Sequence, residues 1–493
     1  MSLASTYLGI DLGTSEVKVL LIDAAQRIVA SHSAALEVQR PHDSWSEQHP
    51  ADWWQATLTA VGAIAAGHPQ EMAALRGIGL SGQMHGAVLL DAAGDVLRPA
   101  ILWNDVRSAA ECVELERRVP TSREITGNLA MPGLTAPKLL WVAAHEPDMM
   151  ARVATVLLPK DYVRYLLTGE FISDMSDSSG TMWLDVRARD WSDTMLEACG
   201  LTRGHMPRLV EGSAPGGMLK PELAQAWGVA APVVVAGGAG DNAASAVGMG
   251  VVAQGQGLIS LGTSGVFLAA ADACRPDTSR GLHTFCHALP GQWQQMGVML
   301  SAASCLRWAV QATGSADELA LLAEIEAADG PANPAAPLFL PYLSGERTPH
   351  NDAAARGVWF GMGHDTGRGL LGYAVLEGVA FGLRDSLLAL RAAGSPVHTV
   401  SLVGGGSRSR LWARILASAL DLPLTLRSNA SIGAALGAAR LAILAVEPEL
   451  DVAAVCTAPE LIEIVEPRAD WHAAMLPRFE RYRALYGQLK CLF

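Results

Sequence analysis

An aspartate placed just before a Gly-Thr-Ser turn suits phosphate chemistry, and this chain opens with one. Asp11-Leu12-Gly13-Thr14-Ser15 follows the apolar run Tyr7–Ile10. Such a turn offers backbone N–H groups and two hydroxyls to phosphate oxygens. Leu-Gly-Thr-Ser returns at 261–264 behind another apolar run, with Ser260 where the first copy has Asp11. Either copy alone reads as an ordinary turn, and Asp11 as a turn aspartate. Two copies half a chain apart predict two related lobes gripping one polyphosphate from opposite sides. A carboxylate on one side only would recruit Mg²⁺, which favours a few carboxylates plus substrate phosphates.

Asp241 is the second candidate. It follows the strand-like Val233–Ala236 and the flexible Gly237-Gly238-Ala239-Gly240, where backbone can approach a ligand closely. A carboxylate there can serve as a general base, or as the N-cap of the Ala-rich helix behind it. His85, in the Gly82-Gln83-Met84-His85-Gly86 turn, is an accessible imidazole or a structural one. Trp103-Asn104-Asp105 presents a ring face, an amide and a carboxylate, the groups that bind polyols. Gly404-Gly405-Gly406 before a helix fits a nucleotide, although it lacks Walker A spacing. Glu346-Arg347 reads as an ion pair fixing a loop. His283, Cys286 and His287 have no second cluster to complete a tetrahedral metal set, so a packed strand is expected there.

Those residues need elements to hold them. Residues 7–10, 17–22 and 28–32 form apolar runs split by short polar turns, an antiparallel meander. A helix is expected over 51–66, starting near Pro50 and Asp52. Ile78–Ser81 reads as a buried strand, with short strands at 88–90 and 101–103 and helices at 109–118 and 137–145. The second half repeats strand, turn and strand through 266–270, then adds helices at 368–391, 433–445 and 470–488. Glycine-rich 248–257 reads as a hinge. Alternating strands and helices imply α/β lobes around a cleft.

Composition narrows the class. The 493 residues are half apolar, enough for large cores, and the net charge is −13 without a basic run. Nucleic acid is therefore not an expected partner. No membrane span is expected, because Asp241 and Asn242 interrupt the apolar stretch 233–257. Asp11 interrupts any signal-peptide core. Seven cysteines without CxxC pairing predict reduced thiols in the cytoplasm. The oligomeric state, a homodimer included, stays open.

Taken together, the motifs resemble the FGGY carbohydrate kinases. The segments are Gly9–Ser15, Gly82–Gly86, Leu102–Asp105, Leu158-Pro159-Lys160-Asp161-Tyr162, Asp174-Met175-Ser176-Asp177, Gly240–Asn242, Pro341–His350 and Gly404–Ser407. They run in the family's order between about residues 7 and 445. The resemblance implies an α/β fold of two actin/hexokinase-like (ribonuclease H-like) lobes, each with a mixed central sheet, around an ATP/sugar cleft. Residues 1–250 would form the lobe carrying the sugar and the base, and 251–493 the ATP lobe. The implied activity is ATP- and Mg²⁺-dependent phosphorylation of a small sugar. Gln-Met-His-Gly and Leu-Pro-Lys-Asp-Tyr point to D-xylulose. Another pentulose, a polyol or a sugar acid is the near alternative, and a non-kinase ATPase of the same fold the distant one.

Residue by residue, the resemblance makes Asp241 the base and Asp11 the Mg²⁺-associated carboxylate, with both as metal candidates. Gln83, Met84, His85, Trp103, Asn104, Asp105 and Asn242 would line the sugar. Thr14, Ser15, Lys18, Gly262, Thr263, Ser264, Gly404, Gly405, Gly406, Ser407 and Gly433 would hold ATP. The chain departs from the family in one place that matters: Gly237–Asp241 is one residue longer than the usual Gly-Gly-Gly-Asp. Residues 428–432 match the adenine segment only loosely, and those after 446 match nothing assignable.

Overall fold

The computed structural model describes residues 5–328, 330 and 333–493. The opening meander forms as expected: Thr6–Leu12, Glu16–Asp23 and Ile28–Ala35 pair antiparallel in sequence. Leu75–Gly82 then joins Thr6–Leu12 in parallel, setting Asp11 opposite Ser81. Val234–Ala236 and Pro215–Met218 extend the same sheet, and Ala239–Gly240 pairs with the end of Leu75–Gly82.

The second sheet repeats the plan. Gly255–Leu261 and Gly265–Ala271 flank the second Gly-Thr-Ser turn, and Val397–Val403 runs parallel to Gly255–Leu261 with Ser260 opposite Val403. Each of the two mixed sheets has seven strands among the described residues. Asp11 and Ser260 therefore occupy matching places near the carboxyl ends of the innermost strands, where open α/β sheets present their ligands.

One helix ties the halves together. Gly433–Val446 belongs to the second half of the sequence but lies across the first sheet. Backbone meets backbone there: a methyl built on Gly9 would sit 1.9 Å from the Ala435 carbonyl oxygen, and one on Gly79 1.8 Å from that of Ala438. The same helix crosses the Asp241–Gly248 helix, where a methyl on Gly437 would fall 1.8 Å from the Ala244 carbonyl. Only glycine permits such approach. The strand of Asp11 and the helix of Asp241 thus share one support.

Candidate active site

The loop before Asp241 resolves the length anomaly. Val235 pairs with Ile78, whereas Ala239 pairs with Ser81. Four steps on one strand thus span three on its neighbour, so the extra residue forms a bulge. Gly238, at φ +78°, takes the turn. Past the bulge the register resumes, and Asp241 emerges beside the row that contains Asp11 and Ser81. The N-cap of its helix is Gly240, so the capping reading of Asp241 gives way. Its Oδ1 accepts instead from the backbone N–H and Nδ2 of its neighbour Asn242, at 2.7 and 2.9 Å.

Asp241 forms part of the wall of a cavity of about 260 Å³ built from both halves. Met84, His85, Trp103 and Asn242 line it with Asp241, and Ser264 of the second turn reaches it as well. Both aspartates are half-buried. Burial, and then the charge of Asp11, raise the pKa of Asp241 to about 7. Burial also raises that of Asp11, against the opposing pull of Ser81 and Lys18.

His85 is held in a left-handed backbone conformation, φ +71°. Its Nδ1 lies 3.1 Å from the Gly180 carbonyl oxygen, and a methyl on Gly180 would strike the ring at 2.2 Å. Burial, with Lys138 and Arg347 nearby, lowers its pKa to about 3. The ring is therefore neutral, donates through Nδ1–H, and keeps Nε2 as an acceptor. Behind it, buried Lys138 donates to the carbonyls of His85 and Gly133, both at 2.8 Å. That lysine joins two pieces of the cavity wall.

Three expected sugar contacts lie elsewhere. Asp105 is 1 % exposed, its carboxylate taken by the Ser46 amide and by Arg107. The strand expected over 101–103 ends at Ile101. Asn104 is not part of the cavity lining. Gln83 bonds to Thr14 and Gln48 behind the wall. In their place the second half contributes His283, Phe285 and Arg347, joined by Met131 from the first.

The Glu346–Arg347 ion pair is also corrected. Glu346 accepts the backbone amides of Arg347 and Leu300, while the Arg347 guanidinium turns to the cavity and meets His283 Nε2 at 3.2 Å. His283 is in turn held by Asn128, His287 by the Val251 carbonyl and Cys286 by that of Val186, so the three diverge. Nothing in residue spacing signals Arg347 as a cavity residue. Its neighbour Thr348, bonded to Val298 and to the Gly281 carbonyl, holds its loop against the second sheet.

A second cavity of about 600 Å³ lies behind the 262–264 turn, lined by Gly262, Thr263, Gly405 and Gly406 together with Arg307, Leu319 and Arg408. Among the expected nucleotide residues, Gly404 packs on Leu261 at φ +91°, and the Ser407 hydroxyl donates to the Gly404 carbonyl. Gly433 is buried against the Asp241–Gly248 helix and lines neither cavity; its carbonyl oxygen faces Gly248, where an added methyl would fall 1.9 Å from it. Lys18 pairs with Glu16 at 2.9 Å. The Thr14 hydroxyl is already occupied, donating to Gln83 and accepting from Trp103 Nε1 at 3.1 Å. Ser15 is exposed at the turn.

A carboxylate of raised pKa facing one cavity, with glycine turns opening onto a second, is an arrangement suited to moving a group between two small molecules. Comparison with known proteins agrees. The model of the FGGY family of carbohydrate kinases matches in both parts, its N-terminal domain over residues 6–248 and its C-terminal domain over 257–446. The chain belongs to that family. It is 53% identical over 483 residues to the xylulose kinase of Escherichia coli (strain K12), covering 98% of this chain and 99% of that protein. It is 50% identical to the xylulose kinase of Klebsiella pneumoniae, with 99% of each covered. Among solved structures it matches a xyloylose kinase from Brucella ovis with a TM-score of 0.95 and 53% identity, covering 99% of this chain and 100% of that one.

Proposed function

We propose that the chain transfers the terminal phosphoryl group of ATP to D-xylulose, giving D-xylulose 5-phosphate. The carrying observation is the placement of Asp241, with its raised pKa, on a cavity walled by Met84, His85, Trp103 and Asn242. Identity of 53% to the E. coli xylulose kinase over nearly the whole of both chains supports the choice of sugar.

In this reading Asp241 accepts the proton of the attacking primary hydroxyl, a role worth about 10²–10⁴ in rate. The Nε2 of His85 accepts from one sugar hydroxyl, and Asn242 holds the base carboxylate in place. Backbone N–H groups of both Gly-Thr-Ser turns orient phosphate oxygens. Phosphoryl transfer leaves a protein mainly positioning and charge stabilisation to supply. Asp11 and Asp241 are the carboxylates that would hold Mg²⁺. Among the described residues no group of three His, Cys, Asp or Glu could cage a metal, which fits an ion that keeps waters and phosphates as its other ligands. When bound, the ion would offset phosphate charge. Approach of the halves would shed water, the competing acceptor.

We also place the protein in the cytoplasm: all seven cysteines are free and six are buried, as suits a reducing compartment.

The test is ADP release with MgATP across D-xylulose, D-ribulose, L-xylulose, L-ribulose, glycerol and gluconate, with a sugar-free control. Strong preference for D-xylulose is expected. Preference for another acceptor would replace the substrate, and sugar-independent release alone would overturn the kinase reading.

A further inference from the structure

Beneath the base loop lies a buried ionic cluster that the proposed chemistry does not use. Lys160 Nζ sits 2.6 Å from Asp161, 2.7 Å from Asp174 and 3.0 Å from Asp177, and all four side chains are fully buried. Arg164, equally buried, pairs with Asp161 and donates to the Ile172 carbonyl. Burial raises the Asp177 pKa to about 8, with the neighbouring carboxylates adding to the effect against Lys160. Protonation of Asp177 would leave two cations against two anions. Burying charge on this scale is costly unless pairing is close, and an apolar core would hold the fold without it.

The cluster's outward contacts show where it acts. Arg164 donates to the Gly237 carbonyl at the start of the bulge. Asp174 Oδ2 accepts from both the backbone N–H and the hydroxyl of Ser176, at 2.8 and 2.5 Å. The Ser176 oxygen then accepts the amide of Gly240, the residue just before Asp241, at 3.2 Å. Both ends of the irregular segment 237–240 are thus clamped to one node. Gly237 and Gly238 fall outside the pairing with Leu75–Gly82, which resumes only at Ala239 and Gly240, and the segment's glycines and alanine offer no side chain to pin. An external clamp is what such a loop needs, because misplacement by about 1 Å can cost about 10²-fold in rate.

We infer that Ser176, oriented by Asp174 and backed by Lys160 and Arg164, is a positioning residue that aims Asp241 through the Gly240 amide. The inference rests on Asp241 being the base of the proposed kinase.

Ser176→Ala and Ser173→Ala separate positioning from stability. Each deletes one buried hydroxyl from the same cluster, but Ser173 bonds to Asp161 at 2.6 Å and does not touch the loop. With the acceptor the wild-type enzyme prefers, Ser176→Ala is expected to lower kcat at least about tenfold with both KM values within about threefold. Ser173→Ala is expected to lose thermal stability comparably and keep kcat within about twofold. The inference is overturned if Ser176→Ala keeps kcat within twofold, if Ser173→Ala lowers kcat as much, or if the KM values carry the loss. Failure of the kinase reading shows separately, as absence of acceptor-dependent ADP release in the wild type.

Discussion

Trp103 donates from its indole nitrogen to the hydroxyl of Thr14 at 3.1 Å, joining the wall of the cavity that holds Asp241 to the first Gly-Thr-Ser turn. The bond ties residues that the sequence places in different sites. Trp103→Phe keeps the ring face and deletes the donor. A hydrogen bond of this kind contributes about 1 kcal/mol, so KM for MgATP is expected to rise about fivefold with KM for the sugar little changed. Steady-state kinetics with each substrate varied will show it; a rise confined to the sugar would separate the two functions of the residue.

Asp241 must be ionised to accept a proton, and its pKa is raised to about 7. The value of kcat/KM is therefore expected to fall tenfold per pH unit below about 7 and to level off above it. An acid limb near 4 would remove Asp241 as the base. Asp241→Asn should lose at least about 10²-fold in kcat while still binding ATP.

The same raised pKa has a cost in stability with a definite sign. Between about 4 and 7 the folded protein binds more protons at Asp241 than the unfolded chain, so this group's contribution declines as pH rises through that window. Asp241→Asn is thus expected to melt higher than the wild type at pH 8 without ligand, and to lose that advantage at pH 4. Thermal melts at the two pH values are the check.

Asp11 is expected to act on Asp241 as well as on the metal. Asp11→Asn removes a negative charge that raises the Asp241 pKa, so the acid limb of kcat/KM should move to lower pH. The magnesium concentration giving half-maximal rate should rise severalfold. A magnesium titration unchanged from wild type would take Asp11 out of the metal site.

Backbone-to-backbone packing predicts a sharp contrast between two glycines. Gly9→Ala would drive a methyl to 1.9 Å from a helix carbonyl that cannot yield, whereas a methyl on Gly62 meets nothing within 4 Å. The first is expected to cost roughly 3 kcal/mol or more and to accumulate largely insoluble; the second should melt with or above the wild type. Equal melting of the two would mean that the Gly433–Val446 helix is not seated this closely.

Much of the fold was legible because local rules govern it. Alternating apolar runs marked the meander of residues 6–35, and the duplicated Leu-Gly-Thr-Ser marked the duplicated sheet. The site was legible where a residue follows its own strand, as with His85 and Asp241. It was not legible where the second sheet delivers the residue. Arg347 read as the partner of Glu346 because adjacency in sequence was the only geometry to hand, while in the fold a backbone turn claims the carboxylate and frees the guanidinium. Asp105 read as a sugar ligand because its bond to Ser46 comes from a loop 59 residues upstream, which joins its close neighbour Arg107 in taking the carboxylate. The bulge at Gly237–Gly238 was visible as one residue too many, but its harmlessness to Asp241 depends on pairing with Leu75–Gly82.

The seating of Gly433–Val446 on the opening sheet also bears on how the molecule is made. During synthesis, the strand carrying Asp11 emerges long before the helix that covers its glycine row. The roughly two hundred residues between position 250 and that helix take about 10–40 s to translate at ordinary rates of about 5–20 residues per second. Throughout that interval the nascent first half presents an uncovered apolar face on Gly9 and Gly79, so chaperones that shield such faces have their period of contact set by the length of the second half.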